Sequence, residues 1–406
     1  MKFAGQKISS IKSKSPEKWR ENFGKMHYRN NFCESDGILY FGTCGKEWNV
    51  PDESDAVLAV IAETGKVVWE HRVLGDVNHT WLTESYVFFG TDKNEVAAID
   101  KHTGRLITAH KADSVVINEF HALNSEKDAA FTVSLSGEII IFNPHSCQFN
   151  TKWSIPELGA VTCTSFSSPD LYVGNSIGLI YHIDMDSGSF RLLSSLPHIK
   201  TSSYPINSES VTNITVIGER LLVTYSRETY HESPPLLCLD RRSGNTVWMG
   251  GESNLGERTG FGNARAKPLL IDDKIYCTFA YNDALSKFSL DSGEFLDSVR
   301  LDNPWFQNWA SPILANEKII VPRVSGVVAQ VDPETLKIDW MNSIEGTASY
   351  HVSAAEDGDE WPDFREDEPG PYPFEPLTKG IAATPIVVNN LLIVGTTSGQ
   401  VICLEV

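Results

Sequence analysis

The chain has 406 residues, 41% hydrophobic and 10% aromatic, with 53 acidic residues against 34 Lys and Arg for a formal charge of −19. This apolar content excludes a disordered chain, and the acidic balance excludes broad binding to nucleic-acid phosphates; basic protein partners or small ligands remain. No stretch approaches the roughly 18 consecutive apolar residues of a membrane-spanning helix, so no membrane partner is expected.

In chain order, residues 1–19 carry Lys2, Lys7, Lys12, Lys14 and Lys18 but lack the apolar run of a secretion signal. The seven cysteines, at 33, 44, 147, 163, 238, 277 and 403, form no CxxC and no adjacent pair. Free thiols in a cytoplasmic, monomeric protein are the expectation.

From residue 38 a two-strand pattern recurs. Its first member is an apolar strand: 38–43 (ILYFGT), 86–91 (YVFFGT), 130–134, 171–175, 221–225, 274–278, 318–322 and 391–396 (LLIVGT). All but the last are followed by a second apolar strand, a turn of the form Asp-x-x-Ser/Thr-Gly, and a strand that often carries Trp four residues after the Gly. These stand at 57–69, 96–104, 139–153, 180–188, 236–248, 285–293 and 327–340. Segments such as 267–271 (KPLLI), 311–315 (SPILA) and 384–388 (TPIVV) leave room for one more strand ahead of each pair. Four short strands in about 51 residues describe a propeller blade. The predicted fold is all-β, an eight-bladed β-propeller of four-stranded antiparallel blades occupying residues 1–406 as one domain.

The turn chemistry is local. Asp accepts backbone N–H bonds two and three residues on, and Gly takes a positive φ without steric cost. Where Cys147 and Leu336 replace that Gly, a distorted turn is expected. Trp69, Trp153, Trp248 and Trp340 are expected to wedge between blades. The eighth copy, 401–406 (VICLEV), stops after its third strand and would expose an unpaired edge. Residues 19–23 (WRENF) read like 69–73 (WEHRV), so a strand from residues of about 16 to 24 should complete the last blade and close the ring.

These repeats resemble those of the pyrroloquinoline-quinone-like (PQQ-like) eight-bladed propeller superfamily over nearly the whole chain. That superfamily includes quinoprotein dehydrogenases and non-enzymatic members such as the propeller lipoprotein of the outer-membrane barrel assembly machinery. A quinoprotein dehydrogenase would imply adjacent disulfide-bonded cysteines over the quinone and a Ca²⁺ site. This chain has no Cys-Cys pair, so the resemblance points to the non-enzymatic branch, with no cofactor.

Propeller topology puts the second-to-third loops and the blade-to-blade crossovers on one face. The long insertions, 44–55, 194–212, 226–235, 249–266, 301–309 and 342–383, all fall in that set, whereas the opposite turns read as short throughout. Within the last insertion, residues 345–375 hold ten acids against Arg365, with Trp361, Phe364, Tyr372 and Phe374 among prolines. Acids flanking aromatics suit an arm that grips a basic protein, with Trp361, Asp363 and Phe364 as candidate contacts. Asp357, Asp359 and Asp363 lack the Asp-x-Asp-x-Asp-Gly spacing of a Ca²⁺ loop. Crossover residues His27, Arg29, Asn78, His79, Asn118, Glu119, Arg265, Lys267, Trp305, Asn308 and Trp309 should surround the channel mouth, a polar set ahead of aliphatic inner strands. Arg258 is a further basic candidate. His27 and His79 lack a third ligand, so no metal is expected, and no catalytic motif stands out. The leading expectation is a non-catalytic propeller that binds a protein through its loop-rich face, as a scaffold or an inhibitor or immunity-type protein for a basic target. The alternative is a small-ligand-binding or enzymatic propeller using the channel mouth, with a quinoprotein dehydrogenase as its less favoured form.

Overall fold

Alternating apolar residues and Asp-capped turns fold the chain into consecutive hairpins, and the computed structural model assembles these into eight sheets. It describes residues 17–47, 50–124, 126, 128–196, 210–226, 235–250, 264–279, 284–301, 308–324, 326–344 and 380–406, with 12–13 as backbone. Blade 1 comprises Phe32–Ser35, Ile38–Gly42, Ala56–Ile61 and Val67–Arg72; blade 2, Val77–Leu82, Tyr86–Thr91, Glu95–Asp100 and Leu106–Lys111; blade 3, His121–Ala122, Ala130–Val133, Glu138–Asn143 and Gln148–Ser154. Blade 4 comprises Val161–Ser167, Asp170–Asn175, Leu179–Asp184 and Phe190–Ser195; blade 5, Val211–Ile217, Arg220–Tyr225, Leu236–Asp240 and Thr246–Met249; blade 6, Leu269–Ile271, Lys274–Thr278, Ala284–Ser289 and Phe295–Arg300. Blade 7 comprises Ile313–Ala315, Lys318–Pro322, Val327–Val331 and Ile338–Ser343; blade 8, Ile386–Val388, Leu391–Gly395, Gln400–Glu405 and, from the other end of the chain, Glu17–Asn22. Neighbouring strands within each blade run antiparallel, as expected. Among the described residues no helix is long and apolar enough to cross a membrane.

Glu17–Asn22 closes the ring within the predicted span, with Trp19 opposite Cys403 and Arg20 opposite Ile402. One pairing was not foreseen. Lys12–Ser13 lies parallel to Trp340 and Met341 and adds a fifth strand to the outer edge of blade 7. Blade 3 also departs from expectation, because its innermost strand has only two residues and the following turn, 123–129, is long for the short-turn face.

The second and third strands of each blade are buried on both faces, and the core forms between blades. In one such layer Tyr40, Val57, Ala59 and Trp69 of blade 1 pack against Val77, Val87, Phe89, Ala97 and Ile99 of blade 2. Removing this apolar surface from water is what binds neighbouring blades together.

The repeated turns are built as the sequence implies. Asp100 Oδ1 accepts from the His102 and Thr103 N–H groups at 3.1 and 2.8 Å, Asp240 from Arg242 and Ser243 at 3.1 and 2.7 Å, and Asp332 from Glu334 and Thr335 at 3.1 and 2.8 Å. Asn143 does the same work in blade 3, accepting from His145 and Ser146 at 2.8 Å. The expected distortion at Cys147 and Leu336 does not occur. Each closes its turn with the same 2.9 Å N–H bond that Gly104 makes, and each adopts φ near +54° or +53° instead. Backbone strain replaces distortion because the Asx or Asp cap fixes the turn shape.

The wedging tryptophans reach the turn of the next blade. Trp69 Nε1 donates to Lys101 O at 2.8 Å, Trp248 Nε1 to Leu290 O at 3.0 Å, and Trp19 Nε1 to Ala62 O at 2.8 Å. Their rings lie so close to the turn glycines that a Cβ on Gly104 would sit 2.7 Å from Trp69, and one on Gly65 2.8 Å from Trp19.

Candidate functional site

The eight innermost strands surround a central cavity of about 650 Å³, lined by residues of blades 2 to 7 and of the crossovers that lead into blades 1 and 8. Arg29, His79, Asn118, Glu119, Arg265, Lys267 and Trp309 of the sequence candidates line it. Three others do not reach the cavity. His27, Asn78 and Asn308 are buried in the wall, and for the two asparagines the buried crossovers supply the reason: their backbone carbonyls need donors. Asn78 Nδ2 donates to Val116 O of the next crossover at 3.0 Å, as Asn30 Nδ2 donates to Val77 O at 2.6 Å, and Asn308 Nδ2 donates to Ala310 O at 2.9 Å. Asn118 combines both roles, donating to Val133 O at 2.9 Å while lining the cavity. Arg258, Trp305, Trp361, Asp363 and Phe364 lie outside the described residues, as do Asp357 and Asp359 and the whole of 345–379.

The inner strands are more polar than anticipated. Thr162, Cys163 and Thr164 in blade 4 and Thr212 and Asn213 in blade 5 face the cavity. Thr162 Oγ1 donates to Val211 O at 2.6 Å, and Asn213 Nδ2 donates to Arg265 O at 3.1 Å, so successive blades are stitched across the wall. The alternation of Thr and Asn with Val and Ile in 161–167 and 211–217 carried this signal. Tyr28 and His121 were also passed over; His121 Nε2 bonds Thr164 Oγ1 at 2.8 Å between blades 3 and 4.

The mouth gathers charge and aromatic surface. Tyr28 and Trp309 have ring centroids 6.0 Å apart. The guanidinium carbons of Arg29 and Arg265 stand 5.3 and 5.9 Å from the Tyr28 ring centroid, within cation–π range. Lys267 Nζ lies 3.7 Å from Glu119, and Arg29 Nη1 lies 3.6 Å from Asp92. Burial would raise Glu119, but Lys267, His79 and His121 outweigh it and hold the carboxyl below its usual range. Its side chain still keeps 44% of its surface open to the cavity. Burial also holds His121 down at about 4 and lowers His79, so both rings are neutral at neutral pH. Burial pushes the Cys163 thiol up to about 12, which makes it a poor nucleophile.

Beneath the mouth, ligand atoms of His27, Cys44 and Asp76 lie within 4.8 Å of one another, close enough to suggest a metal centre. The tautomer argues otherwise. Arg29 N–H donates to His27 Nδ1 at 2.9 Å and so uses the one lone pair of a neutral ring, leaving the hydrogen on Nε2. Burial holds this histidine at about 3, so it stays neutral. The ring presents an N–H, where a metal would need a lone pair.

The chain matches the family model described as outer membrane protein assembly factor BamB over residues 8–249. Among solved structures, BamB from Moraxella catarrhalis is similar with a TM-score of 0.63 and 13% identity, covering 97% of this chain and 100% of that one. Sqt1 from Saccharomyces cerevisiae has a TM-score of 0.68 at 8% identity over 97% of this chain and 99% of its own. The computationally designed Ika8 protein has a TM-score of 0.63 at 11% identity over 95% and 99%. At such identities the likeness concerns the fold alone. No curated protein matches the chain in sequence. Repeats, ring and matching family model together make this chain a member of the PQQ-type propeller family described as outer membrane protein assembly factor BamB.

Proposed function

We propose that this propeller is a non-catalytic scaffold that binds a protein partner through the face carrying its long loops. The carrying observation is topological. The insertions at 44–55, 194–212, 226–235, 249–266, 301–309 and 342–383 each join a second to a third strand or one blade to the next, and those connections leave the strands at the same end of the ring. Loops on a rigid ring are where binding surfaces collect, and the family description, an assembly factor, supports a role in bringing proteins together. The acidic segment 342–383 gives the partner its chemistry, a basic surface, either in a larger complex or on a basic target that the propeller neutralises. The propeller is a monomer on its own. Seven unpaired cysteines support a reducing, cytoplasmic setting.

Deleting residues 356–376 should abolish capture of the partner from native lysate and leave the melting temperature unchanged. Capture should weaken at least tenfold between 50 and 500 mM salt, since exposed charges are screened over about 10 Å at 0.1 M and less above it. Retention of the partner by the deletion variant, or salt-independent capture, would refute the role of the acidic segment.

A further inference from the structure

Three cations meet at the cavity mouth of an otherwise acidic molecule, and their compensation is incomplete. Arg29 and Lys267 face carboxylates only at 3.6 and 3.7 Å, beyond the length of a charge-assisted hydrogen bond. Arg265 Nε is buried with no hydrogen-bond acceptor among the described residues. Two guanidinium groups also lie within 6 Å of one aromatic ring, Tyr28, close enough to repel each other. Walls of low polarizability screen that repulsion less than open water would. Arg29, Arg265 and Lys267 against Glu119 give the lining a balance of +2, although the whole chain carries −19.

We propose that this mouth is a binding site for a small oxyanion, a carboxylate- or phosphate-bearing molecule. The two guanidinium forks and the Lys267 ammonium hold its charged group, and Tyr28 and Trp309 carry its organic part. Planar guanidinium groups match the paired oxygens of carboxylate and phosphate, and a bound anion offsets the repulsion between them. A cationic recess also concentrates anions from solution by focusing its field. The cavity, about 650 Å³, has the size of small-molecule sites. His79 lines the cavity and burial lowers it, so it adds a hydrogen-bonding ring without charge. Glu119 opposes the anion and pairs with Lys267, which gives the site a built-in competitor and the test its sign.

The test uses the full chain, titrated separately with sodium citrate and sodium phosphate at ionic strength matched by sodium chloride, and read by calorimetry and thermal shift. At least one anion should give saturable binding and a rise in melting temperature beyond chloride; citrate alone would identify a carboxylate ligand, phosphate alone a phosphate ligand. Arg265→Gln with Lys267→Gln should weaken binding about tenfold while melting as wild type without anion. Glu119→Gln, which removes only the competing charge, should bind about threefold or more tightly. The proposal is overturned if neither anion exceeds chloride, or if the double variant binds as wild type does. Should the double variant not fold, unchanged or weaker binding by Glu119→Gln overturns it alone.

Discussion

Trp69 and Gly104 show how much a single residue pair decides. The glycine needs φ of +69°, and its missing Cβ makes room for the indole of the preceding blade. The same pairing joins Trp19 to Gly65, Trp153 to Gly188 and Trp248 to Gly293. Where the turn carries Cys147 or Leu336, the preceding blade offers Thr108 or Asp297 at the tryptophan's register position, opposite Ala98 and Lys287. Glycine stands in every turn that an indole covers, and also at Gly244, where a Cβ would sit 2.0 Å from Leu193 O; the two turns that lack it have no indole on them. Gly104→Ala should cost about 2 kcal/mol or more, from that strain plus displacement of the ring. In a Trp69→Ala background the cost should fall, and a double-mutant cycle by denaturant unfolding should show a coupling of roughly 0.5–3 kcal/mol. Strict additivity would show that the ring does not select the glycine.

Buried histidines at the same scale set a pH dependence. His27 and His121 are held at about 3 and about 4, against an ordinary value of 6.5. The unfolded chain therefore binds more protons than the folded one between pH 6.5 and 4, so stability falls as pH falls through that window. Melting temperatures measured at pH 7, 5.5 and 4 should drop, and His121→Gln should make the drop shallower. An unaltered slope in that variant would remove His121 from the account.

At the scale of the element, the capped turn adds a second acid limb. Hydrogen bonds from turn N–H groups and hydroxyls hold Asp100, Asp184 and Asp240 below the usual carboxylate range. A depressed carboxylate contributes stability above its unfolded value, near 3.9, and loses it as pH falls further. This limb starts below the histidine window and runs in the same direction. Replacing the three with Asn, the cap that Asn143 already provides, should leave stability at pH 7 nearly unchanged and flatten unfolding below pH 4, as followed by circular dichroism. The sequence showed these turns well because their bonds span only two or three residues. It did not show the Lys12–Ser13 strand, two polar residues whose place depends on an edge far away in the chain.

At the scale of the whole molecule, closure is the decisive step. Glu17–Asn22 covers the edge of Gln400–Glu405, and Trp19, 8% exposed, packs in the layer between blades 8 and 1. Deleting residues 1–23 should expose that edge and strip that layer, giving insoluble protein on expression. A soluble monomer with an unchanged melting temperature would contradict closure as the source of stability.

By itself the sequence determined the blades, their number and the closing strand. Strand alternation and turn caps are local, consecutive strands pair with their neighbours, and an unfinished blade has a single free strand to call on. Only the tertiary structure decided the site. Whether a crossover side chain faced the cavity, as Arg265 does, or turned into the wall, as Asn308 does, depended on which buried acceptors lay beside it, here Ala310 O and Thr278 Oγ1. The meeting of Arg29 and Arg265 on Tyr28 exists only because a closed ring returns the sixth blade to within reach of the first.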